Sequence, residues 1–215
     1  MNQIIDHTIA FVKSELHGAE GGHDWFHIER VYKNALLIAQ AETVDNTIVV
    51  LGALLHDIAD SKFHNGDETI GPKKARAFLR SQNLPNATID HVVNIIENIS
   101  FRGGNTKQNF HSKELDVVQD ADRLDAIGAI GIARTFNYGG FKNRAIYDPD
   151  IPPKFDMTPE EYKNSKAPTI NHFHEKLLLL KDRMNTEVGK KIAAQRHRFM
   201  EAYLNQFYAE WKGEK

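Results

Sequence analysis

Leu51-Gly52-Ala53-Leu54-Leu55-His56-Asp57-Ile58-Ala59-Asp60 opens as an apolar run of helical character and ends in an adjacent imidazole and carboxylate, with a second carboxylate three residues on. An apolar helix of this kind belongs inside a domain, and there a desolvated His-Asp pair is costly unless it is hydrogen-bonded, paired or coordinated. Imidazole nitrogen with carboxylate oxygen suits a divalent transition metal, or Mg or Mn when further oxygens complete the shell. One His-Asp dipeptide is a weak signal, so its company decides the reading. His27 lies upstream in His27-Ile28-Glu29-Arg30-Val31 and Asp122 downstream in Asp120-Ala121-Asp122-Arg123-Leu124-Asp125, each with apolar neighbours at helical spacing.

The order His27, His56-Asp57, Asp122 resembles the H...HD...D signature of the HD-domain metal-dependent phosphohydrolases. Four stretches carry the likeness closer: Gly22-His23-Asp24-Trp25-Phe26-His27-Ile28-Glu29-Arg30-Val31, Leu54-Leu55-His56-Asp57-Ile58, Val118-Gln119-Asp120-Ala121-Asp122-Arg123-Leu124-Asp125-Ala126-Ile127-Gly128, and His172-Phe173-His174-Glu175-Lys176-Leu177-Leu178. They are similar to the small stand-alone bacterial branch, over about residues 20 to 210. The resemblance implies an all-α, single-domain helical bundle in which His27, His56, Asp57 and Asp122 hold one divalent ion: Mn, Mg, Ni, Co or Fe. It implies hydrolysis of phosphomonoesters or phosphoanhydrides, commonly of nucleotides. The closest-looking branch points to nucleoside or deoxynucleoside triphosphates cleaved to monophosphate and pyrophosphate.

The totals agree with such a protein. With 215 residues, 41% hydrophobic and 26% charged, the chain fits one ordinary globular domain, expected to span residues 1–215. No apolar run approaches the roughly 20 residues of a membrane span, and the first residues lack the pattern of a secretory signal, so a cytoplasmic protein is expected. The absence of cysteine removes disulfides, thiolate metal sites and cysteine nucleophiles together, leaving His and carboxylate as the metal ligands. A net charge of -2 gives no general attraction for nucleic acid or an anionic membrane. A small nucleotide is the expected partner.

Helical periodicity runs through most of the chain. Ile5, Ile9, Val12 and Leu16 mark a first helix ending near Gly18–Gly22; Asp24 caps a second, carrying Val31, Ala35, Ile38 and Ala39 inward. A third helix runs from Thr47 to about Asp60, and Gly71-Pro72 opens a fourth, proline being tolerated in a first turn. Ala87 to about Ile99 and the stretch bearing Leu115, Val118, Asp122 and Leu124 follow, separated by a Gly-rich loop at 100–110. Residues of about 139–168, punctuated by Gly139-Gly140 and five prolines, read as one long loop, with Lys142 and Arg144 as candidate phosphate contacts. Phe173, Leu177, Leu180 and Met184 form one helical stripe, and a last helix opening at Thr186-Glu187 carries Val188, Ile192, Phe199, Tyr203, Phe207 and Trp211 as a packing or homodimer face.

Within the metal scheme Asp57 and Asp60 are the catalytic carboxylates, Asp60 being placed to orient or deprotonate a water. Arg30, Lys62, Arg102 and Arg123 are candidates for substrate phosphate, and Asp125, sharing a helix face with Asp122, for a substrate-binding or ligand-supporting role. Trp25, Phe63 and Phe101 are candidates to stack on a base, and His91 is a structural or substrate-facing residue. The alternatives are a nucleotide 5'-phosphatase, a cyclic-nucleotide phosphodiesterase and a non-catalytic nucleotide-binding regulator. The Gly-Tyr-Pro element of the cyclic-dinucleotide enzymes is missing, and an intact ligand set argues against the regulator.

Overall fold

The computed structural model describes residues 2–18, 24–59, 67, 69–99 and 109–215; among them there is no strand, and the all-α expectation holds. The chain groups into two compact helical units, Met1–Asp122 and Arg123–Lys215.

The first unit is arranged around the apolar run that opened the sequence reading. Its elements are α1 (Asn2–Glu15), α2 (Trp25–Ala39), α3 (Asn46–Leu55), α4 (Ile70–Ser81), α5 (Asn86–Asn98) and most of α6 (Lys113–Asp125). Every α3 residue from Ile48 to Leu55 is buried, because α3 packs against α1, α2 and α5. Gly52 permits that closeness: a Cβ there would meet Ile95 Cγ2 at 3.3 Å and Val118 Cγ2 at 3.4 Å. Asp45 starts α3, its carboxylate accepting from the amides of Thr47 at 2.8 Å and Ile48 at 3.3 Å. On α2 the buried positions Ile28, Val31, Ala35 and Ile38 form a helical stripe. Ser112 Oγ accepts from Leu115 N at the head of α6.

The second unit contains α7 (Gly128–Phe141), α8 (Pro159–Asn164), α9 (Asn171–Glu175), a 3-10 helix (Leu177–Arg183) and α10 (Glu187–Trp211). Thr186 caps α10, its hydroxyl accepting from Gly189 N at 3.0 Å. α10 packs on α7 and on the 3-10 helix, with Phe173 stacked on Tyr203 and both beside Phe136.

Two expectations need correcting here. The segment read as one loop from 139 begins inside α7 and contains α8. Gly139-Gly140 is tolerated in that helix because Gly139 faces a close neighbour: a Cβ there would lie 2.2 Å from Thr169 Oγ1. The segment is also tied down, with Ala145 and Ile146 carbonyls accepting from Thr169 N at 2.8 Å and Ile170 N at 3.0 Å, and Arg144 donating to the Ser165 carbonyl at 2.7 Å. Arg144 is thereby engaged in holding its own segment. The stripe from Phe173 to Met184 is no single helix, since the chain turns at Lys176 (φ -143°, ψ -56°) between α9 and the 3-10 helix. Phe199 and Trp211, on the stripe expected to form a packing or homodimer face, are 54% and 53% exposed in the single chain. No described helix is long and apolar enough to cross a membrane.

Candidate metal centre

Each arm of the site has a local cause. Asp24 caps α2 as expected, its Oδ1 accepting from His27 N at 3.0 Å, so the cap sets where the His27 backbone enters the helix. His27 then sits in the first turn of α2, 2% exposed. α3 ends earlier than its sequence suggests: Leu55 is its last residue, and 56–59 form a turn. His56 keeps helical dihedrals as the C-cap, and Asp57 follows it outside the helix. Release from the helix ladder lets two adjacent side chains approach one point, where rigid helical residues diverge by ~100°. Asp122 arrives from the last turn of α6.

These side chains converge. His27, His56 and Asp57 each place one ligand atom within 4.8 Å of the others. The two imidazole rings stand 5.3 Å apart at 70°. Asp122 Oδ1 lies 3.5 Å from His27 Nε2 and 3.7 Å from His56 Nε2. Both histidine side chains are nearly sealed from solvent, whereas Asp122 is 36% exposed, which leaves the cluster open on the carboxylate side.

The proton on His56 can be placed. Nδ1 lies 2.9 Å from the Ala53 carbonyl, which only accepts, so Nδ1 carries a hydrogen, and in the neutral ring Nε2 is the nitrogen with the lone pair. That Nε2 is buried and has no hydrogen-bond partner among the described residues. An unmet buried polar atom costs roughly 1–3 kcal/mol, and a cation at this point removes the cost. An orphaned lone pair facing a second imidazole and two carboxylates fits a divalent ion of the kind bound by mixed nitrogen and oxygen donors.

Comparison with known proteins is consistent with this geometry. The HD domain family model matches residues 25–127. A crystal structure of an HD-superfamily hydrolase from Bacillus thuringiensis is 44% identical, with 98% of each chain covered and a TM-score of 0.78. The chain belongs to the HD-domain phosphohydrolase superfamily. A structure from Lactobacillus plantarum is 35% identical over 99% of this chain and 98% of its own (TM-score 0.84). Bacillus subtilis YpgQ, crystallised in complex with ADP, is 35% identical over 96% of this chain and 97% of its own (TM-score 0.75). As an HD-superfamily member the chain is a metal-dependent hydrolase, with a His-His-Asp group in place for a divalent ion.

The remaining candidate residues of this HD hydrolase divide by location. Asp60, Lys62 and Arg102 lie outside the described residues, as do Phe63, Phe101 and His23. Arg30 is half-buried on α2, one turn beyond His27. Arg123 donates to the Arg183 carbonyl at 2.5 Å. Asp125 is 1% exposed and ion-paired with Arg134 at 2.8 Å. His91 bonds Ser112 Oγ at 2.9 Å and stands 3.4 Å from Glu114 Oε2. Trp25 lies under the Lys13 ammonium, 4.6 Å from the ring centre. His174 bonds Tyr208 Oη at 3.0 Å within the second unit, and burial holds its pKa below the usual 6.5. What the residues alone did not disclose was the Ala53 carbonyl, which orients His56. A backbone acceptor carries no side-chain signal, although its position three residues before a helix-end histidine is one.

Proposed function

We propose that this chain hydrolyses nucleoside or deoxynucleoside triphosphates to the monophosphate and pyrophosphate, with His27, His56, Asp57 and Asp122 as the ligands of one divalent ion. The single observation that carries the metal part is the buried His56 Nε2, without a hydrogen-bond partner among the described residues and set beside His27 and Asp122. The nucleotide part is supported by YpgQ, which was crystallised in complex with ADP and is similar over nearly the whole chain.

A divalent ion supplies electrostatic stabilisation of a phosphoryl centre and acidifies water at near-neutral pH. The chain's own residues have separate tasks. The Ala53 carbonyl orients His56 through Nδ1 so that Nε2 is turned to the site, and Asp24 fixes the entry of His27. Two carboxylates against two neutral imidazoles balance the charge of a dication. Arg30, on the face of α2 that carries His27, is the cation proposed to contact substrate phosphate. Asp60, named from the sequence, is proposed to take the proton of the attacking water. In the reaction, water oxygen bonds the α-phosphorus, the bridging bond to the β-phosphate breaks, pyrophosphate leaves, and the water proton is released.

The test is a release assay over the common ribo- and deoxyribonucleoside triphosphates with Mn, Mg, Co, Ni and Fe(II), separating pyrophosphate from phosphate. Pyrophosphate with monophosphate, lost in His56→Ala, is the expected result. Orthophosphate release from monophosphates would replace the proposal with a 5'-phosphatase, and binding without turnover with a regulator.

A further inference from the structure

Asp122 occupies a weak place for a metal ligand. α6 ends at Asp125, its last bonds tightening to 3-10 type (Ala126 N to Arg123 O, Ile127 N to Leu124 O), and the chain leaves at Gly128 with φ +76°. Final helical turns lack downstream partners and open first. The Asp122 carboxylate makes no hydrogen bond among the described residues; its contacts are the two imidazoles at 3.5 and 3.7 Å, beyond normal bonding length. Its position is therefore set by its backbone.

One side chain from another helix holds that backbone. Asn34 Nδ2 donates to the Ala121 carbonyl at 3.3 Å, a long bond across 87 residues of sequence. The Ala121 carbonyl and the Asp122 amide nitrogen belong to one planar peptide, so fixing the carbonyl fixes the plane from which the Asp122 Cα projects. Asn34 lies on α2 seven residues after His27. Seven residues at ~100° each return to within about 20° of the same face, two turns along. α2 thus gives the site one ligand and, two turns on, a strap to the peptide of another.

Resting on the metal-site reading above, we infer that Asn34 is a positioning residue: its amide holds the last turn of α6 so that Asp122 stays within coordinating distance of the imidazole pair. The ordinary alternative is a helix-to-helix packing contact, which supports stability and has no bearing on the ion. Asn34→Leu keeps the branched shape and removes the donor; Asn34→Gln keeps an amide on a longer arm. The readouts are Mn²⁺ affinity by titration calorimetry and the melting temperature of the metal-free protein.

The expected result is a loss of Mn²⁺ affinity of about ten-fold in Asn34→Leu, the lower end for residues that support metal ligands. The metal-free melting temperature stays near wild type, and Asn34→Gln recovers part of the affinity. Wild-type affinity in Asn34→Leu, or a loss shared equally by Asn34→Gln with a matching fall in melting temperature, overturns the inference. If Asn34→Leu does not fold, Asn34→Ser, which shortens the reach, is read the same way. Failure of wild-type protein to bind Mn²⁺ overturns the metal-site reading and this inference together, whereas wild-type binding with an indifferent Asn34→Leu overturns only the latter.

Discussion

Asp122 and Asp125 sit three residues apart at the end of α6, and their surroundings are opposite. Asp122 is partly open to solvent and faces two imidazoles at more than hydrogen-bond length. Asp125 is buried, and its charge is met by the Arg134 guanidinium at 2.8 Å. One carboxylate faces two imidazole nitrogens without bonding them; the other is met by a guanidinium that donates to it. A cluster of imidazole nitrogen and carboxylate oxygen suits a cation from outside the chain, whereas a matched ion pair is complete in itself.

The largest effect should come from breaking the first environment. Asp122→Asn or Asp57→Asn is expected to abolish hydrolysis, a loss on the order of a thousand-fold or more, with the helical circular dichroism intact, since electrostatic catalysis through a metal supplies several kcal/mol of the barrier lowering. Chelation of the wild-type protein should do the same and be reversed by added divalent ion. Wild-type rates in either variant would remove the metal mechanism.

Asp125→Asn should behave in the opposite sense. Removing one partner of a buried pair costs about 3 kcal/mol, so the protein is expected to melt several degrees lower. Turnover per folded molecule should stay within about two-fold under conditions where the variant is folded. A fall in turnover comparable to that of Asp122→Asn, without a melting change, would return Asp125 to the substrate site.

Gly139→Ala tests pure packing in the second unit. The added methyl falls 2.2 Å from the hydroxyl of Thr169, which is itself buried, and a cost of roughly 1–3 kcal/mol in stability is expected. A thermal melt measures it, and an unchanged melt would show that the Thr169 side chain can give way.

The smallest effect is a pH dependence. Burial lowers the His174 pKa below 6.5, so the unfolded chain takes up that proton first as pH falls. Its contribution to stability is present above pH 6.5 and is lost as the pH drops from there through the folded-state value. His174→Gln should flatten the melting temperature against pH in that window; an unaltered slope would mean another group governs it.

How much of this was legible in advance can be followed residue by residue. Helix starts were readable where a side chain does the capping, because an N-cap acts on amides two or three residues away: Asp24 and Thr186 are the cases. Helix ends were less so. α3 looked continuous to Asp60 because the polar residues after Leu55 do not forbid helix; it stops there, and His56 and Asp57 stand in the turn. Gly139-Gly140 suggested a loop because glycine is a poor helix former, yet a helix keeps it where Thr169 leaves no room for a Cβ. The break at Lys176 was invisible, since Phe173 to Met184 has the spacing of one apolar stripe.

By itself the sequence determined the helical class and the identities of the four polar residues that stand together, because periodicity and residue type are local properties that packing seldom erases. The tertiary structure alone decided that Asp125, on the same face of α6 as Asp122, meets Arg134. It also decided that Asn34 reaches the Ala121 carbonyl. Such choices depend on how separate helices approach, and the spacing of residues along one helix holds no record of its neighbours.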